Sequence, residues 1–148
     1  MATNWIQNFY HPINPDKYIG DLDNIVFRSS WERHLFQYCD SISSVLKWSS
    51  EPFAIKYWDE STMKTRRYFP DVYMEIIDRD GNIKKYLAEV KPYRQTQPPK
   101  EGRKKTRTYI NECKTYQKNT SKWKFAEEFC NRNDMKFIIL TESDLGIK

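Results

Sequence analysis

The chain has 148 residues, a net charge of +5, 30% charged and 39% hydrophobic side chains, enough for one domain over 1–148 that buries roughly two thirds of its unfolded surface. No apolar run reaches the ~18 residues a membrane span needs, and no charged start leads into an apolar stretch. The expectation is a soluble, intracellular protein when made, with no membrane partner.

Residues 1–28, with Asn14-Pro15, Gly20 and several aspartates, hold no sustained period and read as an N-terminal arm or irregular wrap, with Trp5, Ile6, Phe9 and Tyr10 available to pin it to the body. A helix begins at 29, where Ser29 or Ser30 is a good N-cap and Trp31, Leu35, Tyr38 and Cys39 recur at helical spacing up to Asp40. Val45 to Trp48 reads as a short bridging segment. The alternation of Phe53, Ile55 and Tyr57 then predicts a half-buried strand over 51–59, followed by a turn at 61–65.

Two further strands follow, about 66–77 and 83–91. Asp80-Gly81 between them is a hairpin-type turn, which makes them antiparallel neighbours, and Pro92 ends the second because it has no N–H to give a ladder. Residues 93–102 read as a loop leaving the second strand at its charged end, placed to cover a substrate. A helix is expected from about 104 to 118, a break near Asn119 and Thr120, and a second helix from Ser121 with Trp123, Ala126, Phe129 and Cys130 inward. The unbroken apolar run in 136–141 is typical of a buried strand. The crossover before it is long enough to lay it parallel to a neighbour, giving an α/β sandwich with a mixed central sheet flanked by helices.

Cys39, Cys113 and Cys130 are odd in number, widely spread and without a Cys-x-x-Cys pair, which argues against zinc and against a disulfide framework. His11 and His34 are isolated and take no catalytic role. Charge, by contrast, is concentrated. From Lys91 to Lys124 eleven Lys or Arg face two acids, Glu101 and Glu112, so this one segment carries +9 and the remainder of the chain is acidic. Such a stretch is the footprint of a polyanion, nucleic acid first, against the plainer reading of a solvated helix face. Arg94, Gln95, Arg103, Lys104, Lys105, Arg107 and Lys122 are the candidate DNA contacts, and Arg28 either meets a phosphate or pairs with Glu32. Trp48, Trp58 and Trp123 read as core rather than as base-stacking platforms.

The two strands from 66 to 91 carry charge where apolar residues are expected. Asp71 lies among Phe69 and Val72, and Glu89 and Lys91 lie among Leu87 and Val90. Because strand side chains alternate, Glu89 and Lys91 share a face and Val90 points into the opposite layer. Two carboxylates and an ammonium in an apolar setting incur a desolvation cost unless they bind something. Hard oxygen donors fit a divalent cation such as magnesium, with a backbone carbonyl, that of Val90, and water completing the shell. An ammonium beside it fits a phosphate or an attacking water. The chemistry indicated is metal-assisted phosphodiester hydrolysis, against ordinary cross-strand decoration of a sheet surface. Glu51 and Asp59 are further candidate ligands, with exposed ion pairing as their plainer use.

An acid on the first helix, Pro-Asp on one strand and Glu-x-Lys on the next resemble the PD-(D/E)xK nuclease superfamily, which includes restriction endonucleases and transposon-end endonucleases. The stretches KYIGD, FRSSWERH, LKWSSEPFAIKYW, RYFPD and AEVKPYRQTQPP are similar to the head-completion nucleases of T-even-type tailed phages. The resemblance implies a restriction endonuclease-like αβββαβ core, with Asp71, Glu89 and Glu32 as metal ligands and Lys91 as the catalytic lysine, although Glu32 alone would be read as pairing with Arg28 or Arg33. It further implies a Mg2+-dependent endonuclease, with Mn2+ able to substitute and no other small-molecule cofactor, acting on double-stranded DNA. The implied setting is the host cytoplasm during phage assembly, or the virion, among head, portal or neck proteins. The alternatives are a non-catalytic DNA-end-binding head–neck protein and a repair or junction nuclease of the same superfamily.

Overall fold

A computed structural model of the chain describes residues 8–100, 102 and 106–147. Trp5, Ile6, Arg103, Lys104 and Lys105 lie outside the described residues. At the centre is a four-stranded sheet in the order β3-β6-β7-β8, formed by Val45–Ser50, Val72–Ile77, Ile83–Val90 and Lys136–Leu140. β3, β6 and β7 are antiparallel neighbours, whereas β8 lies parallel to β7. Helix α1 (Ser30–Ser41) and helix α2 (Arg107–Arg132) account for the two layers that cover it, and a short α3 (Glu142–Leu145) follows β8. In chain order α1, β3, β6, β7, α2 and β8 give the expected αβββαβ core with its mixed sheet.

The meander differs from the expected one. Val45 to Trp48 is not a bridge but the start of edge strand β3, whose pattern hides from a period-two reading because Trp48 and Ser49 are both buried and a register shift falls between Val45 and Lys47. The expected strand over 51–59 shortens to β4 (Ile55–Asp59), which leaves the central sheet to pair with β5 (Lys64–Tyr68) in a separate two-stranded hairpin. What read as one strand over 66–77 is therefore two, broken at Phe69-Pro70-Asp71, where Pro70 has no N–H to donate. The Asp80-Gly81 turn holds: Gly81 has φ 82°, and Asp78 accepts from the backbone N–H groups of Asp80 and Asn82, each at 2.9 Å.

α2 runs unbroken through Asn119 and Thr120, contrary to the expected interruption. Asn119 is buried, Thr120 satisfies its hydroxyl on the Gln117 carbonyl at 2.9 Å, and Ser121 does not cap a helix but donates to the Trp58 carbonyl at 2.8 Å. The helix spans about 39 Å at ~1.5 Å per residue. It starts at Arg107, with Thr106 accepting from the Tyr109 N–H.

Side chains from the sheet fill two cores. On one face Val45, Trp48, Val72, Met74 and Ala88 pack with Leu35, Phe36 and Cys39 of α1 and with Tyr10 and Ile25 of the arm. Tyr38, expected inward, is exposed, and Phe36 takes its place. On the other face Leu87 packs with Ile55, Tyr57 and Tyr68 of the hairpin and Trp123, Ala126 and Cys130 of α2. All three cysteines are free thiols. The arm is more ordered than its composition suggests: β1 (Asn8–Phe9) pairs with β2 (Val26–Phe27), and Asp40 clamps the segment between them. Asp40 accepts from the Tyr10 hydroxyl at 2.7 Å and the Ile13 and Asn14 N–H groups at 2.7 and 2.9 Å, while its own carbonyl accepts from Lys17 Nζ at 3.0 Å.

Candidate active site

Asp71 and Glu89 meet at the end of the β6–β7 ladder. Val72 is opposite Ala88, so the next step along the register brings Asp71 to Glu89. The Val90 N–H donates to Asp71 Oδ2 at 2.7 Å, and the Glu51 N–H donates to the Asp71 carbonyl at 2.9 Å, which fixes the residue from both neighbouring strands. Leu87, with which Glu89 shares a face, belongs to the α2-side core, and Val90 packs into the α1-side core, as the alternation requires. Lys91 leaves the strand with its N–H on the Leu140 carbonyl at 3.0 Å, and its positive charge acts on both carboxylates.

The electrostatics are those of a site short of positive charge. Burial, then the neighbouring charge of Glu89, pushes the Asp71 carboxyl up to about 8, against the N–H bond from Val90 and the charge of Lys91. Burial likewise raises Glu89, although the hydroxyl of Tyr68 and the ammonium groups of Lys91 and Lys122 oppose it. A pair of buried carboxylates that cannot both ionise comfortably is what a bound cation relieves. Their hard oxygen donors fit magnesium or manganese and not a thiophilic metal. Among the described residues no three acidic, histidine or cysteine side chains converge tightly enough to hold one ion. The fit is therefore that of a two-carboxylate site completed by other oxygens.

Glu32 stands one step back. It is in the first turn of α1, where Ser29 Oγ accepts its N–H at 3.1 Å and the Arg28 N–H reaches its carboxylate. Its half-buried carboxyl is raised mainly by burial and adds negative charge to both Asp71 and Glu89. Arg33, one of its proposed partners, instead lies over the Phe27 ring at 5.8 Å. Arg28 ion-pairs with Glu51, which is held at φ 45° at the end of β3. Asp59 is likewise spoken for, buried in an ion pair with Arg66 Nε at 2.9 Å and capped by the hydroxyls of Ser61 and Thr62.

Lys122 reaches the site from α2. Its ammonium lies 5.8 and 5.6 Å from the ring centres of Tyr57 and Tyr68, and burial lowers its proton affinity. Tyr68 was missed by the sequence reading: it hydrogen-bonds Glu89 from the end of β5. The signal was present, since Tyr68 lies three residues before Asp71, but nothing in a linear pattern says that a separate hairpin folds that phenol onto the second carboxylate. Arg94, Gln95 and Arg107 are exposed, the first two in a single 3-10 turn at Tyr93–Thr96 that is tied down by the Tyr93 N–H on Glu142 at 2.7 Å. The structure does not bring these three into contact with the carboxylates. Trp58 is exposed, not core, and Phe69 is half exposed rather than buried.

Residues 43–142 match the family described as TnsA-like endonuclease N terminal. The chain is 36% identical over 138 residues to the head completion nuclease of Enterobacteria phage T4, covering 90% of this chain and 89% of that protein. No solved structure matches it. With its αβββαβ core and its paired carboxylates at the end of the β6–β7 ladder, the chain belongs to the TnsA-like endonuclease family.

Proposed function

We propose that this protein is a divalent-metal-dependent, PD-(D/E)xK-type endonuclease that hydrolyses phosphodiester bonds of double-stranded DNA during the completion of a phage head. The observation that carries the reading is the Asp71–Glu89 pair with Lys91 beside it, a half-buried and a buried carboxylate in need of a cation in a chain related over 90% of its length to a head completion nuclease. Mg2+ is the proposed ion, with Mn2+ able to replace it.

Asp71 and Glu89 would hold the metal, with the Val90 carbonyl supplying a further oxygen and Glu32 orienting water. A bound divalent ion supplies Lewis-acid polarisation of the phosphate and a lowered pKa for water. The chain's own residues do the rest. The Val90 N–H holds one oxygen of Asp71 and the Tyr68 hydroxyl one oxygen of Glu89, leaving the second oxygen of each for the ion. The Lys91 ammonium offsets charge growing on the phosphate oxygens as water oxygen bonds to phosphorus and the 3′ oxygen departs, leaving 5′-phosphate and 3′-hydroxyl ends. Lys122, Arg28, Arg94, Gln95, Arg107 and the basic segment at 103–105 would bind the phosphate backbone, giving affinity without sequence preference. The proposed setting is the host cytoplasm and the assembling virion, with head, portal or neck proteins as partners.

Incubation with supercoiled plasmid and magnesium tests the reading. The protein should nick and linearise the plasmid, and Asp71→Ala and Lys91→Ala should not. Equal cleavage by these variants overturns it.

A further inference from the structure

The β4–β5 hairpin is inserted between β3 and β6, outside the central sheet, and its two faces have opposite characters. Directly opposed residues share a face, so Ile55, Tyr57 and Tyr68 point inward, while Lys56, Trp58, Thr65 and Arg67 point outward, followed on the same side by Phe69. The inner face packs on α2 and delivers Tyr68 to Glu89. All five residues of the outer face are exposed, Trp58 by 38% and Phe69 by 49%.

That outer face is costly as it stands. Lys56 and Arg67 are placed directly across from one another, a like-charge pair that weakens a two-stranded sheet. Its paired strand positions hold no carboxylate, Glu60 lying beyond Trp58 in the exposed turn, and among the described residues neither cation has an ion-pair partner. Arg67 lies 5.9 Å from the centre of the Phe69 ring. The aromatic rings therefore stand at the two ends of the face with the paired cations between them. The platform is also rigid. Asp59 ties the turn through Ser61, Thr62 and Arg66, and Ser121 of α2 holds the Trp58 carbonyl.

We infer that the outer face of this hairpin binds an unpaired stretch of DNA, with bases stacking on Trp58 and Phe69 and the phosphates between them meeting Lys56 and Arg67. Exposed aromatic faces are of use to a nucleic acid only where its bases are out of the duplex, and cations beside them match a single-stranded backbone. Phe69 is two residues before Asp71 in the chain, so this face ends close to the carboxylate pair along the backbone. The inference rests on the nuclease reading and adds a preference within its substrate class, for DNA with a frayed, tailed or gapped segment.

The test is equilibrium binding in chelator, where no hydrolysis intervenes, by fluorescence anisotropy of a blunt duplex and of the same duplex carrying a short thymidine tail. The tail should tighten binding roughly fivefold or more. Trp58→Ala with Phe69→Ala should bring the two affinities to parity, Trp58→Phe should keep the tail preference, and Lys56→Ala with Arg67→Ala should flatten the salt dependence measured on the tailed duplex. A wild-type protein indifferent to the tail, a preference that survives the double aromatic substitution, or a substitution that alters sedimentation and not the preference overturns the inference; the last would mark the face as a contact between copies. Plasmid cleavage with magnesium, run in parallel, separates the two readings. Cleavage without tail preference sinks this inference alone, and tail preference without cleavage sinks the nuclease reading alone.

Discussion

Tyr68 donates its hydroxyl hydrogen to Glu89, so that a residue of the inserted hairpin holds one of the two carboxylates on the central sheet. Burial, with the negative charge of Glu89 beside it, keeps the phenol protonated far above neutral pH, so it is a permanent donor. The bond also lowers the proton affinity of Glu89. Tyr68→Phe should therefore reduce plasmid cleavage about tenfold, on the scale of one lost charge-assisted hydrogen bond. It should also move the acidic limb of the pH–rate profile upward, because Glu89 then loses its proton at higher pH. An unmoved limb would make Tyr68 a packing residue only.

The metal-free protein should lose stability as pH rises. Asp71 has a folded value near 8, above that of an unfolded aspartate, so the folded state holds the extra proton between the two and stability falls as pH climbs through that window. Thermal melts in chelator from mildly acid pH, above the range in which Asp40 titrates, to mildly alkaline pH should show this decline. Asp71→Asn should flatten it, and added magnesium should reverse it at the alkaline end, since ion binding favours the deprotonated pair.

Glu32 should matter less than the pair it faces. Asp71→Asn or Glu89→Gln removes a donor from the site itself and should abolish cleavage. Glu32→Gln should leave measurable activity, with a loss of roughly 10–100-fold, the range for a residue that orients ligands and water from outside the coordination shell. Single-turnover cleavage at saturating magnesium measures the difference.

Glu51 ties up the Arg28 guanidinium beside the site. Glu51→Gln should free that cation for phosphate and tighten DNA binding about threefold at low salt, with the gain fading as ionic strength rises. Salt titrations of the variant and the parent should converge.

Asp40 should be a stability residue with no part in chemistry. Burial raises its carboxyl, but the hydroxyl of Tyr10, the N–H groups of Ile13 and Asn14 and the charge of Lys17 outweigh that and hold it below the usual aspartate value. Its contribution is thus present above that value and is lost as pH falls through the lower folded one. Asp40→Ala should cost about 2–4 kcal/mol in urea unfolding, because it strands several buried donors at once. Hydrogen exchange should show the loss first in residues 10–27.

The sequence by itself determined the parts of this protein that are local. Periodicity and caps located α1, β7 and β8, Asp80-Gly81 made β6 and β7 antiparallel, and the period of two put Glu89 on the opposite face from Val90. The turn made Asp71 and Glu89 neighbours in prospect, and the register that sets Val72 opposite Ala88 places them side by side. The motif resemblance carried the family for the same reason, since motifs are strings of neighbours. Only the tertiary structure decided the rest. β3 could not be told from a bridge, because a register shift and two consecutive buried residues, Trp48 and Ser49, break its alternation. Nor could Asn119 and Thr120 be seen to continue a helix, because burial of Asn119 and contact with the Trp58 carbonyl by Ser121 come from elsewhere in the chain. The removal of β4 and β5 into a hairpin was equally out of reach, and with it the turning of Trp58 and Phe69 outward and of Tyr68 onto Glu89. Each of these depends on which distant surface a residue meets, and a free energy of packing summed over such contacts overrides the weak local preferences that a linear pattern records.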